Sequence, residues 1–66
     1  MKVGDLVMFK DDGTYAKWFR GKIAFVVKVG KGHCRVRWIH PVVYFDGFAT
    51  VSDFSVRNFE VLNESR

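Results

Sequence analysis

Gly21-Lys22-Ile23-Ala24-Phe25-Val26-Val27-Lys28-Val29-Gly30-Lys31-Gly32-His33-Cys34-Arg35-Val36-Arg37-Trp38-Ile39 is the stretch whose reading decides the fold. Two runs rich in β-branched and aromatic residues flank a glycine-containing turn, the pattern of a β-hairpin. Folding about Lys31-Gly32 sets Val29 opposite Cys34, Val27 opposite Val36 and Phe25 opposite Trp38. Lys28 then faces Arg35, and Val26 faces Arg37. One face is apolar and the other basic, whereas a slip of one residue would mix Arg35 and Arg37 into the buried side.

Working outward, Lys2–Lys10 reads as a strand with Val3, Val7 and Phe9 on one face and Leu6 and Met8 on the other. Gly4 marks a bend or bulge within it. Asp11 to Thr14 is a turn, and Tyr15 to Arg20 is too short and too irregular for a helix, so it is expected to be a loop whose aromatics pack back on the core. His40-Pro41 ends the second hairpin strand, because proline has no amide donor. Val42 to Phe45 and Phe48 to Val51 flank Asp46-Gly47, a two-residue hairpin signal that would pair Phe45 with Phe48. Ser52 to Asn58 holds one tight turn, Phe59 to Leu62 is a closing strand with Phe59 and Val61 inward, and Asn63 to Arg66 should fray. The expected fold is all-β: a small, five-stranded, strongly bent barrel with a one-turn helix before the last strand, formed by residues 1–66 as a single domain.

At 66 residues the chain is near the lower limit for one unstapled core, and its 48% hydrophobic and 17% aromatic content must nearly all be used. Association of two copies would relieve that shortage. Cys34 is the single cysteine, so no internal disulfide forms and an intracellular, cytoplasmic setting is expected. No apolar run reaches a membrane-spanning length, and Met1-Lys2-Val3-Gly4-Asp5 has no signal-peptide core, so no membrane partner is expected. A net charge of +4 and a pI near 9.6 tilt the chain toward anionic partners.

The order of elements resembles SH3-like barrels. Lys2 to Val7 resembles the first strand of Tudor, chromo-barrel and KOW-type members, Gly21 to Val29 and Cys34 to Trp38 their central strands, and Phe59 to Glu64 their closing strand. The segments Gly4-Asp5-Leu6-Val7, Arg35-Val36-Arg37-Trp38 and Glu60-Val61-Leu62-Asn63-Glu64 are also similar to short proteins of tailed phages and marine metagenomes, which implies a host cytoplasm as the setting. KOW members carry glycine where Ala24 stands, so the likeness extends to fold rather than to a ribosomal or transcriptional role. A Tudor-type methyl-lysine cage would require Tyr15, Trp18, Tyr44 and Phe45 to converge beside an acidic residue. The cations Lys17, Arg20 and Lys22 in the long loop disfavour binding of basic proline-rich peptides. A shared barrel does not by itself carry a function.

Two residue sets are candidates for function. Lys28, Arg35 and Arg37 on one hairpin face, with Lys22 near them, would repel unless an anion lay across them; Lys17, Trp18 and Arg20 add the mixture of ring faces and charge that holds single-stranded nucleic acid. The plain alternative is that these cations splay into water or pair with Asp46, Asp53 or Glu60, and that Trp18 or Phe19 caps the core. The second set is Tyr44, Phe45 and Phe48, an apolar patch for a protein partner or self-association. His33, Cys34 and His40 lack metal-ligand spacing, since neighbours on a strand point to opposite faces. Ser52, Asp53, Ser55 and His40 have no motif that would position them as a catalytic group. The expectation is a non-catalytic binding module without cofactor or metal, contacting nucleic acid or another polyanion; the competing expectation is a protein-interaction or assembly module.

Overall fold

The computed structural model describes residues 1–63. Its five strands are β1 (Leu6–Phe9), β2 (Ile23–Val29), β3 (His33–Tyr44), β4 (Gly47–Ser55) and β5 (Phe59–Asn63). They form one antiparallel sheet in the order β4-β3-β2-β1-β5. β4 and β5 are its edges and do not pair, so the sheet bends strongly without closing. A one-turn helix, α1 (Ala16–Phe19), joins β1 to β2, and a 3-10 turn at Val56–Asn58 precedes β5. The all-β architecture and the turn before the last strand match the expectation, but β4 runs on to Ser55, so the turn is confined to Val56–Asn58 instead of occupying Ser52 to Asn58. The fraying expected beyond Asn63 falls on residues 64–66, outside the described residues.

The β2–β3 hairpin forms, but its two halves are not in one register. Val29 opposes Cys34 and Lys28 opposes Arg35; then Val27 is bulged out, so that Val26 opposes Val36, Phe25 opposes Arg37 and Ala24 opposes Trp38. The expected inward set is corrected accordingly. Ala24 and Val26 are buried at 0% and 1% exposure, while Phe25 and Val27 are 46% and 42% exposed. The reason is volume. Phe9, Phe19, Trp38 and Phe59 already crowd the interior, with Phe9 5.8 Å from Phe19 and Phe19 stacked 5.0 Å from Trp38. A second large ring opposite Trp38 would overfill the core, and Ala24 fits there. The bulge also adds the twist that bends the sheet.

Three further elements depart from the sequence expectation. β1 begins at Leu6, and Val3 is exposed instead of sharing the face of Val7 and Phe9. Gly4, at φ +95°, turns the chain there while its amide still reaches the Val26 carbonyl at 2.8 Å. Residues 16–19 are helical, because the Phe19 and Arg20 amides bond to the Tyr15 and Ala16 carbonyls. This turn lowers Phe19 onto the core as its cap. Finally, β3 runs through Pro41 to Tyr44. Trp38 to Pro41 face only Thr50 of β4 in an enlarged bulge, where a missing amide costs no ladder bond to β4.

The bulge resets the tip hairpin as well. Tyr44 pairs with Gly47 and Val43 with Phe48, so Phe45-Asp46 makes the turn and the expected Phe45–Phe48 pair does not exist. Burial of Val42 sets this register, since a one-residue slip would turn Val42 outward. The cost falls on Phe45, which is held at φ 56°.

Candidate interaction surfaces

The basic candidates fall into separate groups. Lys28 and Arg35 are direct partners across β2 and β3, and Arg37 follows Arg35 on the same face. Lys28 and Arg35, without Arg37, border an open cleft of about 570 Å³ at the turn end of this hairpin, with His33 at its side and Cys34 and Phe54 among its apolar lining. Asp53, opposite Arg35 on β4, also lines the cleft. Its carboxylate accepts hydrogen bonds from Arg35 Nε at 2.7 Å and Nη2 at 3.1 Å. This fork holds the Asp53 carboxyl below the usual carboxylate range, with Lys28 and His33 contributing, and raises the Arg35 guanidinium. The repulsion expected between Lys28 and Arg35 is therefore offset within the chain by Asp53, one of the acids named for that role.

Lys22 lies apart. It borders a different depression of about 360 Å³ with Ile23, Ile39 and Pro41. Six residues of strand put it roughly 20 Å from Lys28. In α1, Lys17 Nζ sits 4.5 Å from the centre of the Trp18 ring, and Arg20 forms an ion pair with Asp12. Trp18 is half-buried against the core rather than presented as a stacking platform.

The rings of Tyr15, Trp18, Tyr44 and Phe45 do converge. Trp18 is 5.1 Å from Tyr44 and 4.8 Å from Phe45, Tyr44 is 4.5 Å from Phe45, and Tyr15 is 6.0 Å from Tyr44. These are direct ring contacts, so ring atoms occupy the space that a caged cation would need. Desolvation, followed by hydrogen bonding to Tyr15, raises the Tyr44 phenol above its ordinary value. The cluster is a buttress beneath the β3–β4 tip.

On the tip itself Val43, Phe45 and Phe48 are 63%, 68% and 74% exposed. Between α1 and β4 runs a groove of about 480 Å³, bordered by Tyr15, Tyr44, Phe48 and Phe54. The tip patch gains Val43, which the sequence pattern did not single out. Its signal was the alternation of Val42 and Val43, ambiguous until the register was known.

Residues with potential chemistry are engaged in structure. Ser52 Oγ accepts a hydrogen bond from Trp38 Nε1 at 2.9 Å, Ser55 Oγ accepts from the Arg57 amide, and Asp53 holds Arg35. Cys34 is buried, and burial, with Asp53 second, pushes its thiol up, whereas its neighbour His33 is exposed. Among the described residues no group of three His, Cys, Asp or Glu side chains could hold a metal, and no helix is long and apolar enough to cross a membrane. No family model, curated protein or solved structure matches this chain.

Proposed function

We propose that this chain is a small SH3-like barrel serving as a non-catalytic binding module, and that it contacts protein through the β3–β4 tip. The observation that carries this reading is Phe45. It is a large apolar side chain, mostly exposed, held at a φ where glycine costs least. A left-handed conformation at a non-glycine residue costs on the order of 1–3 kcal/mol and is concentrated at functional positions. Val43 and Phe48, paired with each other next to Phe45, are exposed apolar side chains too, and the Trp18 and Tyr44 rings brace Phe45. Preordered aromatic anchors of this kind dominate protein contacts. A photocrosslinking residue placed at Phe48, in the cells that make the protein, should give discrete protein adducts that Phe45→Ser suppresses. A tip that yields no adduct in those cells overturns the reading.

A second reading has its own observation. Lys28, Arg35 and Arg37 share one face, and Lys28 and Arg35 line a cleft with His33 and with Asp53 as its acid. That face suits a polyanion such as nucleic acid, whose binding would weaken steeply with salt. Because Asp53 already engages Arg35, Lys28→Glu with Arg37→Glu is the decisive variant. It should abolish binding of a fluorescent oligonucleotide at low salt; indifference of the unaltered chain to micromolar DNA and RNA removes the reading.

A further inference from the structure

β4 (Gly47–Ser55) is an edge of the sheet, and its outer side has no strand partner among the described residues. It carries no lysine or proline, the usual guards of such an edge. The groove of about 480 Å³ between α1 and β4 is bordered by Val51, Ser52, Asp53 and Phe54 together. Consecutive side chains of a strand point to opposite faces, so four neighbours meet one groove only where it runs along the strand's edge. Backbone alternation tells which groups lie there. The His33 carbonyl accepts the Gly30 amide at 2.8 Å, which turns the His33 backbone toward β2 and the Cys34 backbone toward β4. Cys34 and Val36 oppose Phe54 and Ser52. Those two spend their amide and carbonyl on β3, and Val51 and Asp53 hold theirs toward the groove.

We propose that this edge takes an extended segment of another protein as a sixth strand, antiparallel to residues 51–54, with the pattern apolar-basic-apolar. β4 changes facing at Thr50, with Ala49 packed against the core and Ser52 bonded to Trp38, so one unbroken alternation runs only from Val51 onward. Opposite Ser52 and Phe54 the incoming side chains lie on the core side of the sheet. There Ala49 and Ser52 are small, and the rings of Tyr15, Phe19 and Phe54 line the groove, so apolar residues fit. Opposite Asp53 the incoming side chain lies on the outer face. An acid there meets a like charge, and a lysine or arginine an opposite one.

Charge on this side favours such a segment. Residues 41–56 contain Asp46 and Asp53 and no lysine or arginine, although the chain carries +4 overall. The chain's own runs of this pattern are engaged elsewhere. Lys28, Arg35 and Arg37 stand in inner strands, Lys17 stands in α1, and Lys2 bonds Asp5 through both its amide and its carbonyl. A second copy therefore has no free segment to offer. This contact lies beyond the tip, because Phe45 does not border the groove.

Selection of random nine-residue peptides, displayed on yeast, against the purified chain tests it. The selected peptides should converge on the apolar-basic-apolar triplet. N-methylation of the basic residue removes the amide that bonds the Asp53 carbonyl and should weaken binding roughly tenfold or more. N-methylation of the apolar residue beside it, whose amide points away from β4, should not. Val51→Pro removes an edge donor but no bond to β3, and should weaken binding likewise in a chain of unchanged circular dichroism. Phe45→Ser should leave peptide affinity unchanged, so loss of the groove and loss of the tip contact are told apart. A proline-rich consensus, N-methyl effects without alternation, or binding that a folded Val51→Pro chain retains overturns the strand pairing. Failure of every peptide to enrich overturns the groove as a peptide site, and the tip contact then stands on the crosslinking in cells.

Discussion

At the scale of single residues, one buried polar side chain among the described residues and a few partly buried or exposed ones brace the apolar interior. Asp5 is a carboxylate at 2% exposure whose Oδ2 accepts the Lys2 amide at 2.9 Å. Truncating it leaves the Lys2 amide without this acceptor in a partly buried setting, so Asp5→Ala should cost about 1–3 kcal/mol in urea unfolding. Ser52→Ala strips the partner from Trp38 Nε1 and should cost a similar, smaller amount, whereas Ser55→Ala should weaken only the local 3-10 turn. Asp53 supplies a pH dependence of known sign. Its folded pKa is depressed by Arg35, so its contribution is fully present above the ordinary value of 3.8 and is lost as pH falls through the lower folded value. Asp53→Asn should flatten that part of the stability profile, which acid titration of the unfolding midpoint would show. Burial of Cys34, Val36, Trp38 and Phe59 was legible from alternation alone. The pairing of Arg35 with Asp53 was one of three partners open to it, because choosing among them needed the β3–β4 register.

At the scale of elements, hairpins were legible and their registers only in part: Val29 opposite Cys34 and Lys28 opposite Arg35 hold, and the pairs beyond each bulge do not. Sequence alternation treats every strand as unbroken, but the bulge at Val27 and the enlarged one at Trp38–Pro41 each change which residues oppose each other. Core volume decided both. At Val27 it placed Ala24 under Trp38; at the tip it kept Val42 inside at the expense of the favoured Asp46-Gly47 turn. Gly47 and Gly4 test this account. A Cβ at Gly47 meets nothing within 4 Å and its φ is not left-handed, so Gly47→Ala should change stability by no more than about 0.5 kcal/mol. A turn centred on Asp46-Gly47 would instead penalise it strongly. Gly4→Ala has equal space but φ +95°, and should cost about 1 kcal/mol or more. At the turn itself, Phe45→Gly should be more stable than Phe45→Ala by about 1 kcal/mol, since both lose the ring and only glycine relieves the strain. Equal midpoints for those two variants would show that the strain assigned to Phe45 is absent.

At the scale of the whole molecule, the three most exposed large apolar side chains among the described residues, Phe48, Phe45 and Val43, lie together at one tip. The rings that fill the interior are Phe9, Phe19, Trp38 and Phe59, whereas Phe45 and Phe48 are left to water at the far end of the longest hairpin. In a 66-residue chain, that allocation makes sense when association returns the missing burial. The consequence is a melting temperature that depends on concentration. For a folded dimer that unfolds to two chains, each tenfold increase in concentration adds about 1.4 kcal/mol of apparent stability per dimer. With an unfolding entropy of about 2.1 cal/mol/K per residue over both chains, Tm should rise by roughly 5 °C per tenfold increase. Phe48→Asp should abolish that slope while leaving a folded, less stable monomer. The Lys28→Glu, Arg37→Glu variant should retain it, because neither cation lies at the tip. A Tm independent of concentration from one to several hundred micromolar would mean that the exposed tip contributes nothing to the stability of this chain by self-association.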